Sequence, residues 1–439
     1  MLQFEMAKSS GPTPFVEPKG KMPLMHKSTE TFVAAAAIAI AFSLGSAGAQ
    51  ANGTEKTLYK FLGGSDGALP YGSLTSDGSG NLYGTTTGGG GGSCEEGCGV
   101  VFGIAPGRKE QVLYTFTGGT DGREPEGGLI ADSADNIYGT TDFGGDLSCQ
   151  AGGGEGCGTV FKLAPDGTES VLYAFQGGSD GWEPFGNLVA DPSGNLYGVT
   201  AHGGSFNGSD CEEDGCGTVF EVEPDGTKIT LHAFQSGNDG DGPFGGVILD
   251  SAGNLYGTTG GGGEAGYGTV FKIAPDGTET ILYAFQGGAD GAGPVGVTID
   301  GAGNLFGATV EGGDCTLQFY EDDCGTVYKL AADGTKTLLH DFQGGTDGLG
   351  PWAPVILDGK GNLYGTTWLG GSAYCKQGGC GTVFEVTAKG HEKVLYAFSG
   401  SHGRYPFTAS LLLGAHGDLF GTTTQGGKDN HGVVFKLNK

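Results

Sequence analysis

The chain has 439 residues, of which 94 are glycine, and aromatic residues make up 10% of it. A glycine content this high without a Gly-X-Y period excludes collagen, and the aromatic content argues against a disordered chain, so many short strands joined by tight turns are expected. The formal net charge of −28 argues against nucleic acid and anionic membranes as partners.

The first 49 residues differ from the rest of the chain. Lysines precede an apolar run from Phe32 to Leu44, and Ala47-Gly48-Ala49 follows it as a small-residue cleavage signature. The apolar run is shorter than the roughly 20 residues that span a bilayer. We therefore predict a signal peptide over residues 1–49, cleavage near Ala49, a secreted, periplasmic or cell-surface location and no membrane insertion. The alternative for the apolar run is a buried helix.

Residues 50–439 consist of seven repeats, each built from three phrases in fixed order. The phrase Asn-Leu-Tyr-Gly-Thr-Thr, with substitutions, begins at Asn81, Asn136, Asn195, Asn254, Asn304, Asn362 and Asp418. The phrase Gly-Thr-Val-Phe-Lys-Leu begins at Gly99, Gly158, Gly217, Gly268, Gly325, Gly381 and Gly432. The phrase Leu-Tyr-x-Phe begins at Leu58, Leu113, Leu172, Leu231, Leu282, Leu339 and Leu395. Fixed-period repetition of this kind is the signature of solenoids and propellers.

Each repeat contains four strand-like runs, which we call A to D. In the second repeat they cover residues 128–131, 136–141, 158–163 and 169–175, and turns rich in Asp, Gly and Pro separate A from B and C from D. Four strands per repeat and seven repeats predict an all-β, seven-bladed β-propeller of four-stranded blades. A β-solenoid is the alternative, although its coils are usually shorter and need capping.

The two ends of the repeat region are complementary. The segment Asn52-Gly53-Thr54-Glu55 and the following Leu-Tyr-Lys-Phe copy a C–D turn and a D strand, whereas the chain ends on a C strand. We therefore expect the first strand to complete the last blade and close the ring, which a solenoid would not require.

Ten cysteines occur as pairs in the loops between strands B and C. The pairs are Cys94/Cys98, Cys149/Cys157, Cys211/Cys216, Cys315/Cys324 and Cys375/Cys380. The five longer B–C loops contain one pair each, and the two loops of eight residues contain none. An exported chain with this pattern predicts five disulfides. Zinc binding is the alternative, but the spacings vary and the pairs lie on different blades.

Strand order places the variable B–C and D–A loops on one face of the propeller, which is the candidate binding face. The candidate binding residues there are Trp182, Trp352, Trp368, His202, His402 and His431, together with acidic groups at residues 95–96, 212–214 and 321–323. Exposed Trp can stack on sugars or peptides, or instead pack between blades. No catalytic motif is evident, so we predict no catalytic residues.

The D–A loops share an aspartate. Its positions are Asp66, Asp121, Asp180, Asp239, Asp290 and Asp347, and His402 replaces it in the seventh loop. A ring of carboxylates could bind Ca²⁺, but recurrence in nearly every repeat favours an Asx turn that holds the loop backbone. We predict no other cofactor.

The combination of the three phrases with Asp-Gly-Thr-Glu resembles the GloVer (Gloeo/Verruco) tandem repeat across residues 52–439. The resemblance implies a bacterial exported protein, often with a C-terminal sorting anchor. Because the sequence shows no anchor after its last C strand, the expectation of surface sorting does not carry over. The resemblance implies no activity. The Gly-Asn-Leu-Tyr hairpin also resembles NHL-type propellers at the level of fold.

Three functions fit the repeats. The favoured one is a secreted, monomeric binding or scaffold protein for a glycan, a peptide or a cell-surface partner. The second is an extracellular propeller hydrolase or lyase that acts on polysaccharide, with acids and His at the channel mouth. The third is a structural envelope protein, which the sequence does not separate from the first.

Overall fold

The computed structural model describes residues 53–439 except 108, 151–153, 207–210, 212–213, 315–323, 372–374 and 376–377. The described residues form seven four-stranded antiparallel sheets. The predicted seven-bladed β-propeller is confirmed. The predicted signal peptide lies outside the described residues. No helix in the described part of the chain is long and apolar enough to cross a membrane.

The four strands of each blade follow the predicted order. The A strands are Thr75–Ser76 (β2), Ile130–Ala131 (β6), Trp182–Ala190 (β10), Asp241–Leu249 (β14), Ala292–Ile299 (β18), Ile356–Leu357 (β22) and Leu412–Leu413 (β26). The B strands are Leu82–Thr86 (β3), Ile137–Thr141 (β7), Leu196–His202 (β11), Leu255–Gly261 (β15), Leu305–Glu311 (β19), Leu363–Thr367 (β23) and Leu419–Thr423 (β27). The C strands are Val100–Ile104 (β4), Thr159–Leu163 (β8), Thr218–Val222 (β12), Thr269–Ile273 (β16), Thr326–Leu330 (β20), Thr382–Val386 (β24) and Val433–Asn438 (β28). The D strands are Glu110–Thr115 (β5), Glu169–Ala174 (β9), Lys228–Ala233 (β13), Glu279–Ala284 (β17), Lys336–Asp341 (β21), Glu392–Ala397 (β25) and Thr54–Lys60 (β1).

The A strands of blades 3 to 5 are longer than the sequence predicted. Strand β10 begins at Trp182, opposite His202 of β11, and its register shifts between Phe185 and Val189. Equivalent shifts interrupt β14 and β18. At each shift lies a glycine with positive φ, namely Gly186, Gly245 or Gly296. A β-bulge of this kind lets the chain bend without ending the strand, so the ladder extends to the candidate binding face.

Adjacent blades are joined by one aromatic pair each. The last aromatic residue of a D-strand phrase packs edge-on against the aromatic residue of the next blade's C strand, as Phe116 does on Phe161 with ring centroids 5.2 Å apart. The other pairs are Phe61–Phe102, Phe175–Phe220, Phe234–Phe271, Phe285–Tyr328, Phe342–Phe384 and Phe398–Phe435. All fourteen rings are buried, which makes these pairs the centre of each inter-blade core.

Two sets of glycines permit this packing. The glycine of the Asn-Leu-Tyr-Gly phrase lies under the C-strand ring of its own blade, and a Cβ on Gly84 would lie 2.6 Å from Phe102 Cζ. Around the axis the inner segments meet backbone to backbone, and a Cβ on Gly127 would lie 2.5 Å from the carbonyl oxygen of Gly186. Any side chain at these positions would push two strands or two blades apart.

The ring closes through the first and last strands. Strand β1 pairs antiparallel with β28, with Thr54 opposite Asn438 and Lys60 opposite Val433. The seventh blade therefore has the order β1-β28-β27-β26, and Phe61 continues from β1 to pack on Phe102 of the first blade. The predicted closure by the N-terminal strand is confirmed.

Removal of β1 should weaken the whole ring. We expect a chain that begins at Phe61 to melt about 10 °C or more below one that begins at residue 50, because blade 7 loses its outer strand and exposes the edge of β28. Differential scanning calorimetry of the two chains measures the difference. Equal melting temperatures would contradict closure by β1.

Candidate functional site

A proline opens the inner segment of every blade, and the residues that follow these prolines meet around the central axis. Each proline packs against the glycine that opens a C strand of the preceding blade, and a Cβ on Gly158 would lie 2.5 Å from Pro184 Cδ. This packing sets the position of the following residue along the propeller axis. The resulting axial ring consists of Tyr71, Glu126, Phe185, Phe244, Val295, Trp352 and Phe407.

Aromatic side chains form most of the axial ring. Phe185 stacks on Phe244 with centroids 4.3 Å apart, and Phe244 meets Trp352 at 6.4 Å. Trp352 continues to Phe407 at 5.2 Å, and Phe407 to Tyr71 at 5.8 Å. The five rings therefore form a continuous aromatic arc.

The axial ring nearly closes the channel. The cavity between Phe185, Phe244, Trp352 and Glu126 has a volume of about 10 Å³, which is room for roughly one water molecule. This cavity is therefore too small for a ligand larger than water.

Four carboxyl groups lie where the aromatic arc is interrupted, between blades 2 and 3. Glu126 occupies the axial ring, Glu124 and Glu183 each precede an axial proline, and Asp142 follows β7. The backbone N–H of Asp142 donates to the Glu124 carbonyl oxygen, which brings the two inner segments of blade 2 together. We call these four residues the acidic cluster.

Burial makes the acidic cluster hold protons. Burial, reinforced by the Glu183 and Glu124 charges, raises the pKa of Glu126 to about 8. Burial and nearby carboxylates raise the pKa of Glu183 to about 7. Asp142 is 3% exposed, its Oδ1 has no hydrogen-bond partner among the described residues, and burial raises its pKa well above the usual range. At neutral pH the cluster therefore contains carboxylic acids beside carboxylates.

The residue before the axial proline has a left-handed backbone conformation in every blade, including the two blades that form the acidic cluster. Glu124 and Glu183 both have φ of 55°, in the left-handed region. Gly242, Gly293 and Gly350 take the equivalent positions in three other blades, with φ between 58° and 64°. Leu69 and Tyr405 take this conformation in the remaining two blades, with φ of 56° and 59°. The conformation is therefore a feature of the repeat, and it costs about 1 kcal/mol or more wherever a residue other than glycine adopts it.

Two basic groups face the cluster from its outer side. Arg123 pairs with Glu155 and lies 3.6 Å from Glu124. His202 Nε2 lies 3.6 Å from Glu183 Oε2, and burial lowers the pKa of His202. The imidazole is therefore a neutral neighbour of Glu183 at pH 7.

The three predicted Trp residues take two different places. Trp182 is 7% exposed, stacks on His202 at 4.4 Å, and donates its indole N–H to the Asp214 carbonyl oxygen, so it packs inside the face. Trp352 belongs to the aromatic arc. Trp368 lies 5.9 Å from Phe407 and is partly exposed, so Trp352 and Trp368 are brought together and Trp182 is not.

The other two predicted histidines lie away from the axis. His402 is exposed and contacts the Ser401 hydroxyl at 3.0 Å. His431 packs over Gly63, where a Cβ would lie 2.4 Å from its ring. Residues 95–96 are exposed in the first B–C loop, whereas residues 212–213 and 321–323 lie outside the described residues.

The six D–A aspartates occupy separate sites. Each carboxylate accepts a backbone N–H of its own loop, from Leu62, Thr117, Gln176, Gln235, Gln286 and Gln343 in turn. Each donor lies four residues before its aspartate, so the carboxylate holds its own loop. It does so by a different contact from the predicted Asx turn, whose donor follows the aspartate by two residues. Calcium binding by these residues stays a prediction.

The described residues contain four of the expected disulfides. They are Cys94–Cys98, Cys149–Cys157, Cys211–Cys216 and Cys375–Cys380. Cys315, the predicted partner of Cys324, lies outside the described residues. Each disulfide closes a small ring in a long B–C loop, which limits the conformations of the candidate face.

Several solved structures are similar to this chain. A gluconolactonase structure from Xanthomonas campestris covers 70% of this chain and 82% of its own, at 14% identity and a TM-score of 0.39. An extracellular domain assigned to a one-component system of B. thetaiotaomicron covers 87% of this chain and 39% of its own, at 8% identity and a TM-score of 0.48. No curated protein matches the sequence.

The chain matches the Gloeobacter/Verrucomicrobia repeat over residues 148–320 and 315–439. It belongs to that repeat family, which confirms the resemblance drawn from the three phrases.

The raised carboxyl pKa values make stability depend on pH. A carboxyl group whose pKa is higher in the folded than in the unfolded chain stabilises the fold below its unfolded pKa of about 4.5, and this contribution is lost as pH rises through 7–8. His202, with its lowered pKa, acts in the opposite sense. We expect the melting temperature to fall by about 5 °C or more from pH 5 to pH 8.

The matched variant is Glu126→Gln with Asp142→Asn, which removes two of the titrating groups. It should melt at least as high as wild type at pH 8 and show a shallower fall, measured by calorimetry at both pH values. A steeper fall in the variant would contradict the assignment of protons to this cluster.

Proposed function

We propose that this protein is an exported binding protein that holds a saccharide on the candidate face, above the axial ring. The observation that carries the proposal is the junction of the aromatic arc with the acidic cluster around one axis. Aromatic faces pack against the C–H faces of a sugar ring, and carboxyl groups accept or donate hydrogen bonds to its hydroxyls. A largely apolar surface with a few convergent polar groups is typical of ligand sites.

The asymmetry of the ring supports one site per molecule. The repeats could place the same residue on the axis seven times, yet aromatics dominate on one side and acids on the other. Trp368 takes the position that Val310 and Thr424 occupy in the two neighbouring blades, so its size is specific to this part of the face. A repeat scaffold with locally different side chains favours a ligand-binding surface over a uniform structural role.

Charge selects among saccharides. The acidic cluster and the net charge of −28 repel uronic acids and sulfated sugars. Neutral sugars and amino sugars remain, because an ammonium group gains from carboxylates and from aromatic faces. We therefore expect neutral or amine-bearing glycans to bind, and acidic ones to be excluded.

A glycan array with the purified mature chain tests the proposal, followed by calorimetric titration of the best ligand. Trp368→Thr and Trp352→Val copy residues that other blades carry, so the fold should be kept. Each should weaken binding by about tenfold or more, the loss typical of an aromatic contact at a binding site. Ser251→Ala, in an exposed A–B turn on the opposite face, is the control.

Binding that both Trp variants leave unchanged would contradict the proposed site. No binding on the array would contradict the proposed ligand class.

Hydrolysis or elimination on a bound polysaccharide is the second candidate function. It is favoured by the pKa values of Glu126 and Glu183, since a protonated carboxyl group beside a carboxylate is what glycoside cleavage uses. Release of new reducing ends from a glycan bound in the same array, abolished by Glu126→Gln, would favour this function over binding alone.

A further inference from the structure

Seven equivalent junctions join neighbouring D strands at the outer part of the ring, away from the axial site. Six of them combine three residues: a Tyr or His near the end of one D strand, the D–A aspartate seven positions later, and the first residue of the next D strand. The junctions with all three residues are Tyr59/Asp66/Glu110, Tyr114/Asp121/Glu169, Tyr173/Asp180/Lys228, His232/Asp239/Glu279, Tyr283/Asp290/Lys336 and His340/Asp347/Glu392. The seventh has Tyr396 and Glu55 without the aspartate.

Two junctions hold a cation supplied by the chain itself. Lys228 Nζ lies 2.9 Å from Asp180 Oδ1 and donates to the Asp180 carbonyl oxygen at 2.6 Å. Lys336 Nζ lies 2.7 Å from Asp290 Oδ1 and contacts the Asp290 carbonyl oxygen in the same way. Both ammonium groups are almost completely buried. The aspartate carboxylate and its own carbonyl oxygen therefore form a cation-binding position.

Four junctions have glutamate where these two have lysine. The carboxyl oxygens Oε1 of Glu110, Glu169, Glu279 and Glu392 are buried and have no hydrogen-bond partner among the described residues. Each of these junctions thus contains two carboxyl groups and has no lysine at the position of Lys228 and Lys336. In two of them a Tyr hydroxyl donates to the aspartate, as Tyr59 does to Asp66 at 2.8 Å.

The junction between blades 5 and 6 differs in its third group. His340 replaces tyrosine, and its Nε2 lies 3.3 Å from Asp347 Oδ1. One ligand atom each from His340, Asp347 and Glu392 lie within 4.8 Å of one another. His340 Nε2 and Glu392 Oε1 are buried, and neither makes a well-aligned hydrogen bond among the described residues. Each of the three side chains therefore brings one ligand atom to the same small region.

We propose that His340, Asp347 and Glu392 bind a divalent transition metal ion, either Zn²⁺ or an ion with a similar preference for imidazole ligands, such as Co²⁺ or Ni²⁺. Ligand atoms around one such ion lie about 2.0–2.2 Å from it, and the observed spacing needs only a small inward movement of the side chains. The imidazole favours zinc, cobalt or nickel over calcium. The two carboxylates supply negative charge that balances the charge of the metal ion. The carbonyl oxygen of Asp347 is available as a fourth ligand, by analogy with Asp180 and Asp290.

The junction between blades 3 and 4 provides an internal comparison. It has the same residue types, but His232 Nε2 already contacts Asp239 Oδ1 at 3.0 Å, and its three groups do not converge within the same distance. A variant of His232 therefore tests whether metal binding requires the three side chains to lie close together, or only the same three residue types.

The experiment is a titration of metal-stripped mature protein with ZnCl₂ by calorimetry, and with CoCl₂ by visible absorption. Glu392→Lys converts the site to the lysine type found at two other junctions, and His340→Tyr converts it to the tyrosine type. We expect each variant to remain folded and to lose one equivalent of metal, or to bind it at least about 100-fold more weakly, since loss of a direct ligand exceeds the 10–100-fold cost of an outer partner. His232→Tyr should retain that equivalent.

The proposal also predicts a stability readout. Zn²⁺ should raise the melting temperature of wild type and of His232→Tyr, but not that of Glu392→Lys, whose own ammonium group fills the position. Failure of wild type to take up Zn²⁺ or Co²⁺, or an equivalent that survives both Glu392→Lys and His340→Tyr, would overturn the proposal. Binding of Ca²⁺ in preference to Zn²⁺ at this site would overturn the choice of metal.

Discussion

At each boundary between blades, an aromatic ring from one D-strand phrase packs edge-on against the C-strand ring of the next blade. The pair that joins Phe61 to Phe102 crosses the point where the chain's first strand completes the last blade. Each such pair contributes about 0.5–1.5 kcal/mol beyond the burial of its surface. A blade alone cannot cover its ring, so the seven pairs require closure, and closure in turn brings seven inner segments to one axis.

The repeats predict this architecture because each structural requirement recurs seven times in the sequence. The aromatic of the Leu-Tyr-x-Phe phrase, the aromatic of the Gly-Thr-Val-Phe phrase and the glycine beneath it are all visible as repeated letters. The complementary ends predicted the pairing of β1 with β28. The extension of strand A to Trp182 was not predictable, because it depends on a bulge whose register is set by contacts between blades.

The candidate site was predicted less completely, because its residues depart from the repeat and do not recur in it. Loop variability predicted a candidate binding face, and two of the three Trp residues there pack against the same ring, that of Phe407. Trp182 is instead buried against His202. The acidic cluster was missed because Glu126 and Glu183 lie next to prolines inside a repeated segment. The available signal was a carboxyl side chain at an axial position where most other repeats have an aromatic, which is apparent only once that position is known to face the axis.

Throughout the ring, residues that recur in the repeats support the fold, and residues that depart from the repeats form the candidate site. Groups that recur, such as the D–A aspartates, hold loops, whereas groups that depart from the repeat concentrate charge or aromatic surface at one place. The most direct test is hydrogen–deuterium exchange of the mature protein with and without a glycan that binds it. Slower exchange confined to the inner segments around Glu183, Trp352 and Trp368 is expected. Slower exchange only in the A–B and C–D turns of the opposite face would contradict the account.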